Sequence, residues 1–125
     1  MTGPRDTLRD AVILVVEDDY YLATDLQTGL EAAGATVVGP FANEGDAERA
    51  LAERVPDCAF VDVNLGAGPS FAVARALADR SVPFVFVTGY DAGVIPEAYA
   101  DVGRFEKPVD VRRAVEVASR LMARG

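Results

Sequence analysis

The chain has 125 residues, half of them apolar, and a net charge of −8. That is enough for one domain with a full core, while the acidic balance argues against a binder of nucleic-acid backbones, which needs a basic surface. With no histidine and a single cysteine, zinc sites, Ser-His or Cys-His nucleophile pairs and internal disulfides are excluded.

Residues 1–10 are polar, with nothing resembling a signal peptide, and read as a flexible lead-in to a unit spanning 11–125. No apolar run approaches a membrane span, which places the expected location in the cytoplasm. Ala11 to Val16 is the first apolar run, without polar alternation, and reads as a strand buried on both faces. Leu22, Leu26, Leu30 and Ala33 then form a helical stripe closed by Gly34 as a left-handed cap. Thr36 to Gly39 reads as a second strand. Asn43 caps a second helix, with Ala47, Ala50, Leu51 and Val55 inward and Pro56 as its stop.

Cys58 opens the third strand as a buried core residue in a reducing compartment, and that strand ends at Asp62 or one residue beyond. After the loop Gly66-Ala67-Gly68-Pro69, Ser70 caps a third helix carrying Phe71, Ala74, Leu77 and Ala78. Phe84 to Val87 is the fourth strand. Between Asp91 and Ala100 a helical pattern is undermined by Gly93 and Pro96, so a short, irregular and mobile segment is expected. A poor fifth strand lies near Val102 to Glu106. Asp110 caps a last helix with Val111, Ala114, Val115, Ala118, Leu121 and Met122 on one face. The order is (βα)5, an α/β, doubly wound five-stranded parallel sheet whose ligands would bind beyond the carboxyl ends of the strands.

Those ends carry the chemistry. Glu17, Asp18 and Asp19 follow the first strand and Asp62 the third. Such crowded carboxylates repel one another, and a divalent cation removes the conflict. Oxygen-only donors suit Mg²⁺, with Asp18 and Asp62 as direct ligands and Glu17 acting through water. Asp19 reads equally as the cap of the following helix. Thr88 after the fourth strand offers a hydroxyl, with room left by Gly89, and Lys107 after the fifth is a counter-ion or a phosphate clamp. Together they make a metal-assisted phosphoryl site in which Asp62, as nucleophile, would form an acyl phosphate.

With these residues placed, the chain resembles a response-regulator receiver domain of two-component signalling, over residues from about 11 to 123. The motif VVEDD carries Glu17 and Asp18, DVNL carries Asp62 and Asn64, VTG carries Thr88, and EKP carries Lys107. The resemblance implies strand order 2-1-3-4-5 (flavodoxin-like), Asp62 as phosphoacceptor, and Mg²⁺ held by Glu17, Asp18, Asp62 and the backbone carbonyl of Asn64. It implies Thr88 as a switch hydroxyl and Lys107 as the lysine of the site. It further implies a sensor histidine kinase or histidine phosphotransfer protein as donor, self-catalysed transfer, and later hydrolysis of the acyl phosphate. A downstream protein would bind the surface of the fourth helix, fifth strand and fifth helix.

Two features depart from the usual pattern. Receivers carry Tyr or Phe three residues before the lysine, and here that position is Arg104. The run Pro83 to Tyr90 is similar to the PFxFATGY signature of an atypical subclass that also lacks this aromatic, which makes Tyr90 a candidate for signal readout or else a surface-packing residue. No output domain follows the last helix, so a protein complete at 125 residues would signal by binding another protein or by passing the phosphoryl group onward. A haloacid-dehalogenase-like phosphatase would need a second acid at position 64, where Asn64 stands. A flavodoxin-like carrier would not place three acids against a phosphate. A phosphorylation-independent pseudo-receiver fits Arg104 but not the intact Asp18, Asp62, Thr88 and Lys107.

Overall fold

The computed structural model describes residues 7–63, 71–89 and 95–124. The apolar runs form strands β1 (Val12–Val16), β2 (Thr36–Phe41), β3 (Cys58–Asp62), β4 (Phe84–Thr88) and β5 (Gly103–Glu106) of one sheet in order β2-β1-β3-β4-β5. All four strand pairs are parallel. Every residue of β3 and β4 is buried, which is why these strands lack polar alternation.

Helices α1 (Tyr20–Ala32) and α4 (Val111–Arg124) cover one face, and α2 (Glu44–Glu53) and α3 (Ala72–Asp79) cover the other. Ile13, Val15 and Phe60 point to the first side, where Leu26, Leu30, Ala114 and Ala118 meet them. Leu14, Ala59 and Phe86 point to the second, against Leu51, Ala74 and Leu77. The alternation of successive strand residues between two buried faces is the physical content of a doubly wound sheet. Gly29 lets α1 and α4 approach, because a Cβ there would collide with the Val111 side chain.

Local signals act where the spacing places them. Asp19 caps α1, its carboxylate accepting from the N–H groups of Tyr21 and Leu22. Asn43 caps α2 by accepting from the Asp46 N–H, and the Asp110 carboxylate accepts from Arg112 N–H at the start of α4. Gly34 follows α1 at φ 104°, the left-handed conformation open to glycine.

Several boundaries differ from the sequence reading. Helix α2 ends at Glu53, with Arg54 already extended, so Val55 lies beyond it and is exposed. Strand β2 runs on to Phe41 through Gly39 at φ 103°, with an irregularity in its register against β1. The polar lead-in contains Leu8, which is buried in the core with its N–H donated to the Ala33 carbonyl. Between β4 and β5 the described residues hold a single 3-10 turn, Glu97–Tyr99, in place of a helix. Pro96 enters it at ψ 150°, an extended angle that breaks a helical path, and has no N–H to donate. The expected cap Ser70 lies outside the described residues. Instead the Glu44 carboxylate, from the first turn of α2, accepts from the N–H groups of Ala72 and Val73 at 3.1 and 3.4 Å.

Glu44→Ala removes that acceptor from the start of α3 and is expected to cost about 1 kcal/mol, the size of an N-cap deletion. Urea unfolding measures it; an unchanged midpoint would mean that water replaces the carboxylate without loss.

Candidate functional site

The parallel sheet brings the ends of β1, β3, β4 and β5 to one edge. Glu17 follows β1, its N–H bonded to the Phe41 carbonyl of β2 at 2.8 Å. Asp62 ends β3 opposite Val87, and Thr88 ends β4 opposite Glu106. The Lys107 N–H donates to the Thr88 carbonyl at 2.7 Å, carrying the ladder one residue past β5. Lys107 is therefore anchored beside Thr88, and its side chain reaches across the edge to the acids.

Lys107 Nζ lies 3.2 Å from Asp62 Oδ2 and 3.6 Å from Glu17 Oε2. It is the only lysine in the chain. Glu17, Asp62 and Thr88 are at most 2% exposed, whereas Asp18 is exposed and Lys107 half-buried. One carboxylate oxygen each from Glu17, Asp18 and Asp62 lies within 4.8 Å of the others. The cluster thus has a buried floor and an open mouth.

Its electrostatics are unresolved within the protein itself. Burial, a hydrogen bond with Asp62 and the Asp62 charge push the Glu17 carboxyl up to about 8, outweighing the Asp19 N–H and Lys107, which act the other way. Burial lowers the Lys107 pKa, but the Glu17 and Asp62 charges and the hydrogen bond to Asp62 together hold it above its ordinary value. One ammonium does not serve three carboxylates. Among the described residues, Glu17 Oε1 and Thr88 Oγ1 are buried with no hydrogen-bond partner. An acceptor and a donor left unpaired in the same site are unfavourable unless something binds between them.

By contrast, Cys58 is fully buried and burial, with Asp57 beside it, pushes its thiol up to about 12, which leaves it inert. Asn64 and Tyr90, both singled out from the sequence, lie outside the described residues. Arg104 stands opposite Phe86 in the β4–β5 register and is exposed. Tyr99, which the apolar spacing of its segment does not single out, is packed among Phe71, Phe84 and Phe86. No described helix is long and apolar enough to cross a membrane.

Residues 13–118 match the family model of the response regulator receiver domain. The chain belongs to that family. Receiver domains are signalling modules that work through kinases or other proteins, rather than enzymes turning over a separate substrate. The chain is similar to the solved signal receiver domain of a modulated diguanylate cyclase from Desulfovibrio desulfuricans G20, at 31% identity and TM-score 0.75, covering 91% of this chain and 97% of that one. It is similar also to SdrG from Sphingomonas melonis Fr1, at 30% identity and TM-score 0.68, covering 91% and 98%. The response regulator PhyR from Brucella abortus shares the fold at 22% identity and TM-score 0.76, over 94% of this receiver and 51% of PhyR. Among curated proteins none matches the chain.

Proposed function

We propose that this receiver takes a phosphoryl group on Asp62 from a sensor histidine kinase or histidine phosphotransfer protein, and signals through the protein that reads its phosphorylated form. The observation that carries this is the unsatisfied edge of the sheet. Three carboxylates meet there with one lysine, and a buried Thr88 hydroxyl and Glu17 oxygen lack partners.

In the transfer, an Asp62 carboxylate oxygen forms a bond to phosphorus as the bond from phosphorus to the donor's imidazole nitrogen breaks. The freed imidazole keeps the electron pair and takes up a proton. Lys107, held charged by its carboxylate neighbours, faces the transferred oxygens with its N–H groups. Thr88 donates its hydroxyl to one of them. Later hydrolysis replaces the acyl–phosphate bond by attack of water and returns Asp62 to a carboxylate.

The donor set fits Mg²⁺: hard oxygens only, few side-chain carboxylates, an open mouth for water, and a buried Glu17 oxygen without a partner. Glu17, Asp18, Asp62 and the carbonyl of Asn64 would hold the ion, which supplies charge neutralisation for the phosphoryl oxygens. Residues 11–125 make up the receiver unit in this reading, with 1–10 leading into it and Leu8 of that lead-in packed into its core. The protein works in the cytoplasm, where phosphohistidine donors operate.

The downstream face combines Glu97–Tyr99, β5 and α4. A groove of about 690 Å³ lies on its β5–α4 part, bordered by Val102, Arg104, Phe105, Arg113, Val117 and Leu121. A phosphoryl group brings roughly −1.5 to −2 charge and three acceptor oxygens to the far end of the same strands.

Intact-mass spectrometry after incubation with acetyl phosphate and Mg²⁺ tests the proposal. A single phosphoryl adduct that requires Mg²⁺ is expected. No adduct, either with acetyl phosphate or with a histidine-phosphorylated donor, would leave the phosphorylation-independent module that Arg104 allows.

A further inference from the structure

We infer that Tyr99 relays the state of the Asp62 site to β5 through stacked aromatic rings, taking the place of the aromatic that position 104 lacks. The inference rests on Asp62 being the phosphoacceptor.

Thr88, Phe86 and Phe84 alternate along β4 and so share one face of the sheet. Phe84 and Phe86 belong to the core on the α2–α3 side, where Phe71 and Tyr99 pack against them. Tyr99 stacks on Phe71 with ring centroids 6.0 Å apart and planes 21° from parallel. It meets Phe86 edge-on at 5.9 Å and Phe84 at 6.4 Å, while Phe71 meets Phe86 at 5.8 Å. The row of rings begins at the same-face neighbour of Thr88 and ends on Tyr99.

Thr88 is the point of entry. Its hydroxyl is fully buried without a partner, and Asp62 lies on the adjacent strand, opposite Val87. Phosphoryl oxygens on Asp62 offer that hydroxyl the acceptor it lacks, so Thr88 adjusts when the site fills. Close-packed interiors do not absorb such an adjustment locally, and Phe86 must repack with it.

Tyr99 is the point of exit. Its carbonyl accepts from the Val102 N–H at 3.0 Å, and Val102 directly precedes β5. Among the described residues the segment's other backbone bonds are short-range, Tyr99 N–H to the Pro96 carbonyl at 2.9 Å and Ala100 N–H to the Glu97 carbonyl at 3.0 Å. No ring on β5 can do this work: Arg104 is exposed, and Phe105 faces the opposite core beside Phe60.

The test compares wild type, Tyr99→Phe and Tyr99→Leu after treatment with acetyl phosphate and Mg²⁺. Intact mass reads the chemistry, and amide ¹H–¹⁵N shifts at residues 102–106 read the relay. All three proteins should take up the phosphoryl group equally. Tyr99→Phe should keep the shift changes, and Tyr99→Leu should lose at least half of them while changes at Val63 and Thr88 persist. Wild-type changes at 102–106 in Tyr99→Leu would overturn the relay and leave the phosphoacceptor reading standing. Should Tyr99→Leu fail to fold, Phe71→Leu removes the stacked partner and must show the same loss, or the relay is wrong. An absent adduct in wild type would retire the phosphoacceptor reading, and the relay with it.

Discussion

Asp62→Asn is expected to abolish phosphoryl incorporation from acetyl phosphate and Mg²⁺, leaving only the unmodified mass where wild type gives one adduct. Asn matches the shape of Asp but has an amide in place of the nucleophilic oxygen, and it is a poor ligand for a hard cation. The substitution lies at the end of β3, where burial is complete and the backbone pairing with β4 does not depend on the side chain. The fold should therefore survive, and an unchanged far-ultraviolet spectrum would confirm that chemistry alone has been lost. Asp18 stands in the same cluster but is exposed and makes no ion pair with Lys107 among the described residues. Persistence of the adduct in Asp62→Asn would show that another group accepts the phosphoryl.

The second large effect is a pH dependence set by Glu17. Its carboxyl is pushed up to about 8 in the folded protein, from an ordinary value of 4.5. The folded state then holds a proton that the unfolded chain has released. The Glu17 contribution to the stability of the metal-free protein is fully present below about pH 4.5 and is lost as pH rises through about 8, by on the order of a few kcal/mol. Lys107 does not enter this window, because its pKa lies above its ordinary 10.5. A cation bound by the cluster must displace the Glu17 proton, so Mg²⁺ should stabilise the protein more at about pH 8 than at about pH 5.5. Thermal melting with and without Mg²⁺ at both pH values measures this. Glu17→Gln should flatten the metal-free slope and shrink the gain from Mg²⁺. An undiminished slope in that variant would place its origin elsewhere.

The strands were readable because β3 and β4 are buried on both faces, and only uninterrupted apolar runs satisfy that. Caps at Asp19, Asn43 and Asp110 were readable for a different reason. Each acts on N–H groups two or three residues away, so the relevant neighbours are neighbours in sequence. The acidic edge followed from both facts, since a parallel sheet must bring its strand ends together. Helix ends were less readable where the backbone had a choice: Val55 fits the stripe of α2, yet the chain turns extended at Arg54 before reaching it.

The sequence by itself determined the layer order of the domain, the positions of its acids, hydroxyl and lysine, and its place among receivers. Those depend on periodicity and on short-range chemistry. Only the tertiary structure decided that Glu44 caps a helix 28 residues away, that Leu8 belongs to the core, and that Tyr99 joins Phe71, Phe84 and Phe86. It decided too that Glu17 is buried deeply enough to hold its proton, and that Glu17 Oε1 and Thr88 Oγ1 are left without partners. Such contacts join residues far apart in the chain, and burial is a property of the packed whole, so no local pattern encodes either.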